Sequence, residues 1–361
     1  MKQGMEILTL ENKSNWDDIV QSSNCYDFYH LSSYHHIAEL RGEGKAYLFV
    51  YKENNKFIAI PFLLRPIWEI DGLEEIGKDW FDATSVYGYL GPVSNVRSEK
   101  IDFFLKFGKA MLEFLKEKSV VIAFSRLHPI CQNHKFLKIG ELVKLGRTVS
   151  INLSLSLEKQ RSFFMKGHKY SINKAHKEGV SVYLDAKWEH FEKFIYLYNM
   201  TMDKVKASRY YYFEKQYFYS LRNALVDSLK LFVAEYKGQI ISAALFTLCN
   251  SITQYYLSGS DPKYNKLAPS KIIIDKVRIW GTEQKIKFFH LGGGLGSSED
   301  GLFHFKAGFS NRQHQFFMWK LVVNHSVYED LKKAHEKWRK ENHWELINSD
   351  YFPPYRSDLK K

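Results

Sequence analysis

A chain of 361 residues is long enough for two domains, each with a core of its own. With 45% hydrophobic residues, 25% charged residues and only 8 prolines, it is not a disordered, collagenous or low-complexity chain. Its longest nearly apolar stretch, Ile240 to Cys249, is too short for a bilayer-spanning helix of about 20 residues. The formal charge of +12 points to anionic partners such as nucleic acid, phosphorylated substrates or an anionic membrane face, without choosing among them.

The opening MKQGMEILTLENKSNW lacks the apolar core and cleavage site of a signal peptide, which predicts a cytoplasmic protein. Its basic surface suits peripheral contact with the inner membrane face. Cys25, Cys131 and Cys249 are far apart and have no CxxC partner. The expectation is reduced cysteines, with neither a disulfide framework nor a cysteine zinc site. His168, His176, His290 and His304 form no metal-ligand spacing, so no metal is expected.

In chain order, Leu48 to Phe62 reads as a hairpin: an apolar run, a polar turn at Asn54-Asn55 and a second apolar run. A strand at Tyr87 to Leu90 and a loop around Gly91-Pro92 follow. Next come a helix within Ile101 to Lys116, marked by Phe104, Phe107, Met111 and Phe114, and a buried strand at Val120 to Phe124. A strand from Ser150 to Leu155 then leads into a helix starting near Ser156, with Glu158 in its first turn.

About half a chain length after the first hairpin the pattern returns without a gap. The second copy has a hairpin at Leu231 to Leu245, a strand at Gln254 to Ser258, a loop around Asp261-Pro262, a helix within Pro269 to Glu283 and a strand at Lys287 to Leu291. The repetition predicts an α/β protein with two similar mixed-sheet domains, residues 1–148 and 149–325. Residues 326–361 are expected to form a C-terminal helix, about Tyr328 to Asn342, free to pack back onto the first domain, and an exposed tail, YFPPYRSDLKK.

Two stretches carry candidate chemistry. Arg161 to Lys177 holds five cations, Arg161, Lys166, Lys169, Lys174 and Lys177, and no acid. As a helix it aligns Lys166, Lys169, Asn173 and Lys177 on one face, with Phe164, Ile172 and Ala175 roughly opposite. That stripe suits phosphates and equally suits a plain solvated face; Gly167 is the expected point of a bend. The second stretch runs from Phe289 to Lys306. A buried strand feeds Gly292, Gly293 and Gly294, where a backbone without Cβ lets a ligand approach. It has neither the GK[ST] of a Walker loop nor a GxGxxG fingerprint. Asp300 and Phe305-Lys306 follow, and Lys306 offers a cation to a developing oxyanion or a phosphate. His290 reads as a satisfied strand-end histidine or as a base. With no GxSxG elbow and no inferable Cys/His pair, covalent nucleophilic catalysis is disfavoured.

Together these stretches resemble the FemABX group of peptidyltransferase-like proteins, part of the GNAT acyltransferase superfamily, which has two tandem GNAT-like domains. The resemblance is carried by Tyr87 to Pro92, by Lys166 to Val180, by Thr201 to Lys204 with Arg209 to Phe213, and by Tyr255 to Ser260. His290 to Gly294 with Asp300 to Phe309 is its most specific part. It implies acyl transfer, in the best-known members of an amino acid from aminoacyl-tRNA, to an amine of a cell-wall precursor. It places Phe305 and Lys306 by the acceptor and the reaction site, and Arg209, Tyr212 and Tyr256 at a phosphorylated sugar carrier. Tyr89, Lys166, Lys169, His290 and the three glycines complete the expected substrate contacts.

The group's acidic residue after the Gly-Pro turn has no counterpart, because Pro92 is followed by Val93-Ser94-Asn95, and the general base is left open. The chain also lacks a coiled-coil arm for tRNA. An amino sugar on a nucleotide or lipid carrier is as suitable an acceptor as a peptide stem, and DNA is not an expected partner. No bound cofactor is expected. The expected donor is aminoacyl-tRNA, with acetyl-CoA as the alternative. A CoA site needs free backbone N–H groups at a helix start, whereas Asp261 to Ser270 has no glycine and two prolines. Lys263, Lys266 and Lys271 still bring charge there. A third reading is an inactive RNA- or carrier-binding homologue.

Overall fold

The computed structural model describes residues 4–345 and 351–357. The chain begins with β1 (Gly4–Leu8), α1 (Lys13–Gln21), α2 (Ser32–Leu40), β2 (Lys45–Glu53) and β3 (Lys56–Pro66). Then follow β4 (Phe81–Thr84), β5 (Val93–Ser94), α3 (Ile101–Glu117) and β6 (Val120–Arg126). The expected hairpin is β2–β3, closed by Glu53↔Lys56 around a two-residue turn. β1 and β4 flank it antiparallel, and β4 pairs β6 in parallel. The apolar face of α3, with Phe104, Phe107, Met111 and Phe114, is buried against Phe49, Ile60 and Ala123 of the sheet.

The next stretch comprises β7 (Glu141–Asn152), α4 (Leu157–Ser162), α5 (Lys166–Lys177), β8 (Ser181–Leu184), α6 (Phe191–Val205) and α7 (Lys215–Leu225). It continues with β9 (Leu229–Tyr236), β10 (Gln239–Cys249), β11 (Ile252–Ser260), α8 (Pro269–Glu283), β12 (Phe288–Gly292) and α9 (Gly301–Ala307). β13 (Gln313–Val322) and α10 (His325–Glu341) complete the regular elements. In this part the strands lie in the order β7-β12-β11-β10-β9-β8, antiparallel except for β11 and β12. Phe232, Phe246, Phe289 and Leu291 of the strands pack with Ile172 of α5 and Ile273 of α8.

Two compact units result. One holds the residues up to Lys144 and those from Phe317 on; the other is Leu145–Phe316. The chain thus returns to the first unit earlier than the expected boundary at 325. The later half of β13 pairs antiparallel with β6, Met318 opposite Arg126, and this keeps the C-terminal segment there.

Four local expectations are corrected. Tyr87 to Leu90 is not a strand: only Leu90 makes an isolated bridge, to Leu127. Gly88 bends the chain at φ 122°, and a Cβ on it would stand 2.1 Å from the ring of Tyr29. Cys25 and Cys131 are joined in a disulfide with Cα atoms 5.6 Å apart, and buried Cys249 is not part of one. Their separation of 106 residues gave no sequence signal for the pairing. The basic run is broken at residues 163–165 rather than at Gly167, because Phe164 turns into the core while Met165 N donates to Gly308 O at 2.9 Å. The tail is held down as far as Ser357. Buried Tyr355 donates to Asp82 Oδ1 at 2.8 Å, and Arg356 pairs with the same carboxylate, which is fully buried and so requires a cation. Asp358 to Lys361 lie outside the described residues.

Candidate functional site

The second unit opens where its two parallel strands part. β11 and β12 pair only from Ile252↔Phe288 to Gln254↔His290. Beyond that rung β11 stays with β10 to Ser260, whereas β12 stays with β7. The register of β10–β11 slips between Leu245 and Phe246, which leaves Tyr256 as the extra residue of a bulge. A crevice at the carboxyl ends of neighbouring parallel strands is a common place for a ligand. Gln254 and His290 are the last paired rung before the strands part. Both are buried, and Gln254 Oε1 lies 2.7 Å from His290 Nδ1. One ring nitrogen of His290 thus has its partner on the neighbouring strand.

Past His290 the glycines make room for the chain itself. A Cβ on Gly293 would lie 2.9 Å from Arg147 O, and one on Gly294 would lie 2.1 Å from Ser298 O. Arg147 and Glu299 pin this loop with two hydrogen bonds of 2.6 Å. Asp300 caps α9: its Oδ1 accepts from Phe303 N at 2.9 Å and its Oδ2 from Leu295 N at 3.1 Å. Burial alone would raise its pKa, but these N–H donors and nearby Lys306 outweigh burial and hold it below the usual carboxylate value.

This cap and turn place Lys306 five residues into α9 with its side chain buried, 9% exposed. Its Nζ donates to Gly293 O at 2.6 Å. Desolvation lowers its pKa to about 8, opposed only in part by Asp300. An amine poised there is present in both protonation states near neutral pH, in a setting where a charge acts strongly on its neighbours. Half-buried Phe305 lies beside it. The carbonyl oxygen of Phe305 is 2.9 Å from His168 Nε2, which ties α9 to α5.

The structure thus brings together His290, Gly292, Gly293, Gly294, Phe305 and Lys306. Tyr256 belongs to an adjoining aromatic cluster: its hydroxyl is 2.9 Å from that of Tyr217, whose ring stacks on Phe213 at 4.2 Å. Arg209 and Tyr212 are exposed on the turn that leads into Phe213. Partial burial, with a hydrogen bond to Asp203, pushes the Tyr212 phenol up. Lys166 is exposed at the start of α5, and Lys169 Nζ donates to Ser162 O at 3.1 Å. Tyr89 belongs to the first unit, with its ring 6.0 Å from Tyr29 and 6.3 Å from His128. The position after the Gly-Pro turn is structural: Asn95 Oδ1 accepts from Phe57 N at 2.9 Å. Sequence reasoning missed Gln254, His168 and Tyr217, whose partners are all distant in the chain. Among the described residues, no group of three His, Cys, Asp or Glu side chains is placed to hold a metal ion.

Comparison with known proteins follows the same lines. Residues 226–317, which include β9 to β12 and Lys306, match the model of the FemAB family. No curated protein matches the chain. Among solved structures it is similar to FemX, at 12% identity and a TM-score of 0.68, covering 90% of this chain and 99% of that one. A conserved protein of unknown function from Bacteroides thetaiotaomicron gives 10% identity, a TM-score of 0.57 and coverage of 89% and 100%. The L-PGS structure from Bacillus licheniformis gives 13% identity, a TM-score of 0.54 and coverage of 88% and 94%. The class is an α/β protein of two compact units whose fold is like that of FemX. Within it, the segment that holds His290 and Lys306 is the one that matches the FemAB family. No helix among the described residues is long and apolar enough to cross a membrane.

Proposed function

We propose that the protein transfers an aminoacyl group from aminoacyl-tRNA to an amine of a nucleotide- or lipid-linked cell-envelope precursor. The observation that carries this reading is buried Lys306, held on Gly293 O where the β11–β12 ladder ends. The FemAB match over the same segment supports it. In the reaction the acceptor amine attacks the ester carbonyl, an N–C bond forms, the ester C–O bond breaks and the ribose hydroxyl leaves. The proton lost by the amine is made good on the ribose oxygen, directly or by way of solvent, so that no net proton is released. Negative charge gathers on the carbonyl oxygen in between, and Lys306 as its cation stabilises that charge in a water-poor setting. The exposed cations of α5 suit a phosphate-rich donor.

An acyl-CoA donor is less well served. At the start of α8, Pro269 has no N–H, and Lys271 N and Ile272 N both donate to Ala268 O, leaving Ser270 alone open to a pyrophosphate. The test mixes the full chain with tRNA charged with a labelled amino acid and with envelope precursors bearing a free amine, acetyl-CoA being run in parallel. Labelled product from the tRNA arm, lost in Lys306→Met, supports the reading. Acetyl transfer without aminoacyl transfer overturns it, and binding without turnover favours an inactive carrier-binding protein.

A further inference from the structure

A pocket of about 320 Å³ lies in the same unit, and none of its lining residues belongs to the group around His290 and Lys306. One wall is apolar, made by Ile151, Leu155 and Phe163. Two of the polar side chains that complete it, Asn152 and Ser310, have an acceptor already used. Asn152 Oδ1 accepts from Ser154 N at 3.1 Å, so its Nδ2 remains a donor. Ser310 Oγ accepts from Arg312 N at 3.0 Å and keeps its own proton to give. Gln160 is spent: its Nε2 bonds Leu155 O at 2.7 Å and its Oε1 accepts from Arg278 at 3.2 Å. Arg312 is the charged member. Its guanidinium lies 4.8 Å over the ring of Phe288, and it makes no ion pair or side-chain hydrogen bond among the described residues. Phe288 is opposite Asn152 in the β12–β7 ladder, so ring and amide are held by the sheet. No Asp or Glu lines the pocket.

We propose that this pocket binds a small organic anion, with Arg312 and Asn152 holding a carboxylate or phosphate head and Ile151, Leu155 and Phe163 covering an apolar portion. A guanidinium set over a ring keeps N–H groups for an incoming oxyanion, and its five donors match such a head in a fork. Side chains left as donors select an acceptor-only group, and the absence of a carboxylate removes internal competition. The inference does not rest on the proposed acyl transfer.

Calorimetric titration of the full chain at low ionic strength with hexanoate and with inorganic phosphate tests it. Saturable hexanoate binding that weakens at least about tenfold in Arg312→Gln, and is unchanged in Lys306→Met, supports the site. Phosphate binding with the same dependence on Arg312 assigns the head to phosphate chemistry and also supports it. Leu155→Asp, at a half-exposed position, sets a negative charge against the anion and is expected to abolish binding, should Arg312→Gln fail to fold. Absence of binding for both probes at millimolar concentration overturns the proposal, as does binding of equal strength in folded Arg312→Gln or Leu155→Asp.

Discussion

Replacing Lys306 by Met removes the buried amine while keeping most of its volume, and so separates charge from packing. In the native protein the group titrates at about 8, against 10.5 in an open chain. Between these values the unfolded chain still holds a proton that the native state has released, so stability rises with pH through that window. From pH 7 to pH 10 this one group adds about 2 to 3 kcal/mol, and the Met variant lacks that gain. At pH 7 the variant is freed of a desolvation cost of about 3 kcal/mol but leaves Gly293 O without its donor, a loss of about 1–3 kcal/mol. The net change at pH 7 is then within about 2 kcal/mol. Urea unfolding of both proteins at pH 7 and pH 10 gives the difference directly, and turnover is expected to fall about 100-fold or more. A variant as active as the parent removes Lys306 from the chemistry. A parallel pH dependence in the two proteins refutes the account of a desolvated amine.

Other parts of the molecule yield sharper structural tests. A Cβ on Gly259 would stand 2.3 Å from the Leu197 backbone carbon, so Gly259→Ala must push α6 off β11 at a cost of about 3 kcal/mol; an unchanged unfolding midpoint refutes that packing. Asp82→Asn leaves Arg356 without its counter-charge and is expected to cost about 3 kcal/mol, read by urea unfolding; a change under about 0.5 kcal/mol shows that the tail is not anchored there. Burial pushes His30 down to about 3, with His128 adding to it, and pushes His35 down to about 4. Below pH 6.5 the unfolded chain therefore binds protons that the native one refuses, and each histidine removes about 2 kcal/mol by pH 5. Stability that stays flat from pH 6.5 to pH 5 contradicts their neutral burial. Reversing Lys166 and Lys169 to Glu should weaken RNA binding and lower its salt slope by about two; an unaltered slope takes α5 out of the donor contact.

Much of the architecture was legible in short stretches of sequence. The two hairpins, the apolar face of α3 at Phe104, Phe107, Met111 and Phe114, the Ser156 cap of α4 and the span of α8 each depend on residues within a few positions of one another. The same holds for the turn that carries Lys306, since Asp300 caps a helix of seven residues in which the lysine is the sixth. The repetition of one pattern in both halves was sufficient to indicate two α/β units.

What the sequence could not specify were partnerships between distant residues. The pairing of Cys25 with Cys131, the burial of Asp82 under Tyr355 and Arg356, the contact of His168 with Phe305 and the joining of Gln254 to His290 link positions 36 to 274 residues apart. Composition and periodicity decide which residues of an element face inward. They do not decide what is met there. The three glycines illustrate the difference: the sequence showed a backbone that something could approach closely, and only the tertiary structure showed that Arg147 and Ser298 occupy the space at Gly293 and Gly294. Likewise the lysine was visible as a cation, but its pKa near 8 arises from desolvation by the folded surroundings, which no single segment contains.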